Sequence, residues 1–252
     1  MAKVIGRNAR ILLGNRNVSG DVNQAVLTLD AETPECTGFC DSYRLRLSEG
    51  VRNEELKVDG FYNTSACTMD DVLSNNLGGS ALTAIYFTGL AGSKFGREFN
   101  GVVTAYEPNF AVADAAAVSF TVSGSSALYQ MVSLSGSSID YQLTPTVSAV
   151  GSSTMGSVDC GSGVGGATVT MRVLTLTGTT PAFSASVQYS ANDSAFTTAF
   201  SVMNIGASNI NNHSGSLFSV TSASRYARAI VTLAGTSPCA TFVIATGSAR
   251  IN

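Results

Sequence analysis

Tryptophan is absent from this chain, histidine occurs once, and charged side chains make up 12% of its 252 residues. That charge content is about half the ~25% usual in globular domains. The lone histidine, His213, lies in INNHSGS, a polar, turn-like segment. Ser214 beside it makes no nucleophile–base pair, because adjacent residues rarely present that geometry, and no G-x-S-x-G elbow is present. With 14 Lys and Arg against 17 Asp and Glu, the net charge is −3. General nucleic-acid binding by a basic patch is therefore not expected, which leaves open a passage through which DNA slides. No apolar run approaches the roughly 18–20 residues needed to span a bilayer, so no membrane insertion is expected. The first residues lack the charged-then-apolar-then-small order of a secretory signal, and the expected site of synthesis is a cytoplasm.

Cysteine is present but sparse and odd in number: Cys36, Cys40, Cys67, Cys160 and Cys239. Cys36 and Cys40 are four apart with no companion pair, so reduced thiols are expected and a metal site is not. The glycine-rich GSGVGG (161–166) lacks a following Lys-Ser/Thr and helix, so it is no phosphate cradle. Glu54 and Glu55 are adjacent, and on a strand they point to opposite faces. Asp70 and Asp71 are accounted for by the positive end of a helix dipole. No catalytic residue and no cofactor is expected, and the chain reads as a non-enzyme.

What is present is distributed unevenly. Residues 1–130 hold 10 of the 14 Lys and Arg and 14 of the 17 Asp and Glu, leaving 4 and 3 for residues 131–252. The later part is rich in Ser, Thr, Gly, Ala and Val. This shift divides the chain into residues 1–130, a Gly/Ser-rich connector with first strands at 131–166, and residues 167–252. Strand patterns fall at 9–14, 19–33, 55–63, 81–89, 93–110 and 116–125. SACTMDDVLSNNLGG (65–79) predicts one short helix: Thr68 caps it, Met69, Val72 and Leu73 form its apolar face, and Gly78–Gly79 stops it. Beyond 131 the strand patterns are 166–178 (Val169, Met171 and Val173 on one face), 183–193, 224–235 (Tyr226, Ala227, Ile230, Val231) and 239–252. GTTP, ANDS and GTSP read as turns between them. No strict short-period repeat suggests a solenoid. The expected fold is mainly β: a barrel or sandwich with one short helix, followed by a C-terminal β-sandwich-like domain.

Between the early strands lies CDSYRLRLSEGVRNEE (40–55), too polar for a core element. Asp41, Arg44, Arg46, Glu49, Gly50, Arg52, Glu54 and Glu55 mark it as a long loop or hairpin arm. Its mixed charges are either simply solvated or set register between copies of the chain. Sheet edges left open in such a protein are available for pairing with neighbouring subunits.

The order of elements through SGDVNQAVLTLDAETPECTGFCDSYRLRLSEGVRNEELKVDGFYN (19–63) resembles the siphophage major tail protein, the tail tube subunit. A Val/Leu strand leads to a polar turn and a Phe-x-Asp-x-x-Arg segment, then a loop glycine and a strand ending Gly-Phe-Tyr. Phe39, Asp41, Arg44, Gly50, Gly60, Phe61 and Tyr62 occupy those places. Cys36 and Cys40 depart from the family's small or polar residues, and the Pro that often precedes the loop glycine is missing. The resemblance covers about the first 130 residues. The later pattern, GTTP (178–181), VQYSANDSAF (187–196) and SRYARAIVTLAGTSP (224–238), resembles C-terminal segments of phage tail proteins, either an accessory sandwich or a second tube-like module.

The resemblance implies a tail-like fold in the first part and a virion component that self-assembles. Rings would contain six chains, or three if each chain supplies two modules, and would stack around a channel for DNA and the tape-measure protein. Tail terminator and tail tip proteins would be further partners, and the 41–55 arm would reach the adjacent ring. The competing readings are a β-sandwich binding module for a ligand such as carbohydrate, a hydrolase working through His213 or nearby acids, and a capsid-decorating protein.

Overall fold

Alternating apolar and polar residues produce strands along most of the chain. The computed structural model describes residues 9–14, 16–31, 35, 52–63, 69–87, 95–110, 115–126, 128–134, 146–160, 167–206, 216–220 and 224–249. The elements in order are β1 (Arg10–Leu13), β2 (Arg16–Asn17), β3 (Val22–Ala31), β4 (Arg52–Phe61), α1 (Met69–Asn76), β5 (Leu82–Phe87), β6 (Phe95–Asn109), β7 (Ala117–Gly124) and β8 (Tyr129–Ser133). They continue with β9 (Thr146–Val147), β10 (Gly151–Thr154), β11 (Val158–Asp159), β12 (Ala167–Ser190), β13 (Thr197–Gly206), β14 (Ser216–Val220) and β15 (Tyr226–Ala249). The chain is mainly β with one short helix among the described residues, as its pattern predicts.

Packing divides it into two compact units: Gly20–Leu82 with Asn100–Ser126, and Met1–Ser19 with Thr83–Phe99 and Ala127–Asn252. The first unit is built on the antiparallel order β3-β4-β7-β6. Leu56 and Val58 on β4 lie opposite Val122 and Phe120 on β7, and all four are buried. Cross-strand pairs of this kind set the register, because a slip of one residue would turn the apolar set outward. Helix α1 buries Val72 and Leu73. It ends before Gly78, whose φ of 64° turns the chain out of the helix; the Gly79 N–H bonds back to the Asn76 carbonyl (3.1 Å), while the Gly78 N–H bonds the Val103 carbonyl on β6 (2.9 Å). The cap expected at Thr68 lies outside the described residues.

The second unit is organised by a ribbon of two 24-residue strands, β12 and β15. β13 and β14 flank β12, while β11, β10, β9 and β8 flank β15. One face of the ribbon buries Val169, Met171, Val173, Phe183 and Val187 with Ala229, Val231, Phe242 and Ile244. Phe183 and Phe242 lie with ring centroids 5.1 Å apart. On the other face Val243 and Ala245 join Leu12, Ile85, Phe87 and Met131. Burying a side chain such as Phe, Leu or Ile contributes about 1.5–3 kcal/mol, so these two clusters carry much of the unit's stability.

Three expectations need correction. GTTP (178–181) and GTSP (235–238) are not turns; each lies inside a continuous long strand as a bulge, facing the other. Gly178 and Thr180, and equally Gly235 and Ser237, have positive φ, which inserts extra residues without ending the pairing. The inserted residues also shift the alternation. On β15 the inward residues are Ala227, Ala229, Val231 and Leu233 before the bulge and Ala240, Phe242 and Ile244 after it. Of the four apolar residues read in 224–235, Ala227 and Val231 point inward, while Tyr226 and Ile230 are only partly buried. The third correction concerns the charged stretch: β4 begins at Arg52 rather than near 55, and Glu54 is buried within it.

Candidate assembly surface

The first unit's sheet has two unlike faces because strand residues alternate. On β4, Glu54, Leu56, Val58 and Gly60 are buried, while Asn53, Lys57, Asp59 and Phe61 are exposed and Glu55 is half-buried. Cross-strand register extends this open face sideways. Glu55, Lys57 and Asp59 lie opposite Thr28, Val26 and Gln24 on β3 and opposite Ser123, Thr121 and Ser119 on β7. Glu107 on β6 follows Ser119, and Asp30 on β3 lies opposite Asn53. Among the described residues the face thus carries the carboxylates Asp30, Glu55, Asp59 and Glu107 with the single cation Lys57. Lys57 Nζ is 2.8 Å from Glu55 Oε1, and that hydrogen bond raises the ammonium above its usual range. Thr104 and Ser123 hydroxyls, 3.1 Å apart, add to the polar surface.

β3 pairs with β4 alone among the described residues, so its outer edge is open over ten residues. Val26 and Leu29 on it are each 44% exposed. A long edge strand with exposed apolar side chains is an aggregation hazard unless another chain covers it.

Of the residues expected in the arm, Asp41, Arg44, Arg46, Glu49 and Gly50 lie outside the described residues. Arg52, Glu54 and Glu55 open strand β4 and are brought together only as sequence neighbours. Arg52 is exposed at the strand's start, whereas Glu54 is only 8% exposed and points the opposite way from Glu55. His213 also lies outside the described residues.

At the other end of the same sheet is a group that sequence reading did not bring together. The Tyr106 hydroxyl donates a hydrogen bond to Asp70 Oδ1 at the start of α1. Tyr62 lies beside the same carboxylate, and its ring meets that of Phe110 edge-on at 4.8 Å. Partial burial, with the Asp70 carboxylate adding to it, raises both phenols above their ordinary range. Phe110 is 63% exposed. In sequence these residues are scattered from 62 to 110, and only the folding of α1 onto β6 gathers them.

A second missed group is buried in the ribbon unit. Glu98 and Arg172 are both fully buried, with Arg172 Nη2 3.5 Å from Glu98 Oε1. Thr170 donates to the same oxygen at 3.1 Å, and Arg172 also donates to the Gly14 carbonyl. Burial pushes the Glu98 carboxyl up and pulls the Arg172 guanidinium down. Glu98 Oε2 and Arg172 Nε have no hydrogen-bond partner among the described residues. An arginine between Met171 and Val173 in an otherwise uncharged strand was the signal available in the sequence.

A third missed signal is a repeat. VLTLTGTTP (173–181) and IVTLAGTSP (230–238) share five of nine residues at an offset of 57. The repeat makes the two bulges near-equivalent.

No family model matches the chain, and no curated protein is similar to it in sequence. Among solved structures, one similar chain comes from the virion of a native gene transfer agent particle. It is 14% identical, with 50% of this chain and 97% of that chain covered, at a TM-score of 0.44. A chain of the SPP1 tail tube is 8% identical, with 48% and 76% covered, at a TM-score of 0.42. The SPP1 Dit protein, described as a hub of an adsorption apparatus, is 10% identical, with 94% and 98% covered, at a TM-score of 0.35. Likenesses of this size do not assign the chain to a family.

Proposed function

We propose that this chain is a structural subunit of a bacteriophage tail tube. Copies assemble into rings, and rings stack around a channel that passes DNA and holds the tape-measure protein during assembly. The observation that carries this reading is the β3-β4-β7-β6 sheet: one face buried, the other open, polar and acidic, and a ten-residue edge strand left for another chain. In the proposed ring the open face lines the channel, where its carboxylates repel phosphate and keep DNA from adhering. The open edge of β3 pairs with the neighbouring subunit, which removes the hazard of an exposed edge. The motif through residues 19–63 supports the same reading, and the charges of the arm from Asp41 to Arg52 guide stacking of one ring on the next. Tail terminator and tail tip proteins close the two ends, and the assembled product belongs to the virion.

Negative-stain electron microscopy of the purified protein, with class averages down any tube axis, tests this. Hollow tubes are the expected result, and the averages distinguish rings of six chains from rings of three doubled ones. Dispersed monomers at high concentration would overturn the reading in favour of a binding module.

A further inference from the structure

The two ends of the first unit's sheet carry opposite chemistry. At one end Arg52, the first residue of β4, is exposed, and no carboxylate lies within ion-pair distance among the described residues. At the other, just past the last residue of β4, Tyr62 and Tyr106 contact the Asp70 carboxylate, and Phe110 packs edge-on against Tyr62. Two neutral phenols contact that carboxylate, and no cation offsets it among the described residues. Positions 52 and 62 have the same parity, so strand alternation puts both groups on the same side of the sheet. Ten strand residues separate them by about 30 Å, which is too far for one copy to join its own ends.

We propose that the patch of Asp70, Tyr62, Tyr106 and Phe110 receives Arg52 of a second copy of this chain, in an end-to-end contact. A carboxylate flanked by aromatic rings suits a guanidinium, which takes the charge-assisted hydrogen bonds and packs its flat face on a ring. The chain uses this combination elsewhere: Arg225 bonds Asp159 Oδ2 at 2.6 Å while its guanidinium lies 5.1 Å from the centre of the Tyr226 ring. A contact between unlike ends is heterologous. Repeated from copy to copy, it propagates into an open filament, unlike a two-fold contact, which stops at a dimer. The inference rests on the tube reading and supplies it with a specific joint along the direction of growth.

The test uses the full chain. Assembly is followed by sedimentation and negative-stain microscopy for wild type, Arg52→Glu, Asp70→Asn and the exchanged pair R52E/D70K, with circular dichroism as the check on folding. The side-chain amide introduced by D70N still accepts the Tyr106 hydrogen bond, so this variant keeps the local structure. Each single change is expected to raise the concentration needed for assembly by about 30-fold or more, as loss of one partner of a desolvated charge pair does. The exchanged pair recovers assembly. If D70K impairs folding, Arg52→Lys replaces it: a carbodiimide then links the new amine to Asp70 of another copy, detected by mass spectrometry of mixed labelled and unlabelled chains.

Normal assembly of both single variants, or no carbodiimide link between position 52 of R52K and Asp70, overturns the joint and leaves the tube reading standing. Loss of assembly on D70N but not on R52E also overturns it, because the patch then takes its cation from elsewhere. A wild type that never assembles overturns both.

Discussion

The paired bulges of the ribbon make a quantitative prediction about Gly178 and Gly235. A Cβ on Gly178 would lie 2.9 Å from the Pro238 Cα, 2.9 Å from the Ser237 carbonyl oxygen and 3.0 Å from the Thr236 oxygen. A Cβ on Gly235 would lie 2.9 Å from the Thr180 oxygen, 3.0 Å from the Pro181 Cα and 3.0 Å from the Thr179 oxygen. Every one of these neighbours is backbone and cannot swing away. Both glycines also have φ near +120° (122° and 119°), a region L-residues rarely enter. Substitution by Ala therefore adds a conformational cost of about 1–3 kcal/mol to an overpacking cost of about 1–3 kcal/mol.

Two other glycines separate these terms. Gly151 has φ 116° but no atom within 4 Å of where a Cβ would stand, so Gly151→Ala carries the conformational cost alone. Gly206 has open space and no positive φ, so Gly206→Ala leaves stability unchanged or improves it by up to about 1 kcal/mol. Urea unfolding followed by far-UV circular dichroism, the choice in a chain without Trp, gives the four values. G178A and G235A are expected to cost about the same, each about 1–3 kcal/mol more than G151A. The double variant costs less than the sum, because each distortion relieves the other's contact. Equal values for G178A and G151A would refute the steric argument, and a large gap between G178A and G235A would refute the equivalence of the bulges.

Two further predictions concern buried ionisable groups. Burial pushes the Tyr189 phenol up to about 12. A raised phenol stabilises the fold fully below its ordinary value of about 10, and that contribution is lost as pH rises toward the folded value. Wild type is therefore expected to lose more stability than Tyr189→Phe across that window in urea titrations, and parallel curves would refute it. Burial likewise raises Glu98, so its contribution is greatest below the ordinary carboxylate range and declines as pH rises through the raised value. Glu98→Gln, which keeps an acceptor for Thr170 and Arg172, is expected to be mild at neutral pH. Glu98→Ala strands Arg172 and costs about 3–5 kcal/mol; equal denaturation midpoints for the two variants would refute that account.

Much of the secondary structure was legible in the sequence. β1, β3, β5, β6 and β7 fall within the expected windows because their alternation is local. The helix was legible from Asp70, Val72, Leu73 and the Gly78–Gly79 stop, and its eight residues, Met69–Asn76, make the short helix expected inside 65–79. The bulges were misread because Gly-Thr-x-Pro has turn chemistry wherever it stands. Only the facing motif on the other strand, with its pairing partners on both sides, keeps the ladder running. The candidate site was legible in part. Arg52, Glu54 and Glu55 were singled out, but their separation onto two faces of β4 depends on where the strand begins. The Asp70, Tyr62, Tyr106 and Phe110 patch had no contiguous signal at all.

By itself, the sequence determined the mainly-β class, the single short helix, the scarcity of charge and its concentration in the first 130 residues. These follow from composition and from periods of two and 3.6 residues, which need no knowledge of distant partners. Only the tertiary structure decided that residues 1–19 and 83–99 cluster with 127–252, that Glu98 meets Arg172, and that an arginine and an aromatic-flanked carboxylate stand at opposite ends of one sheet face. Those outcomes depend on pairing between strands far apart in the chain. That pairing is set by which apolar faces can be buried together, a property of the whole fold rather than of any window along it.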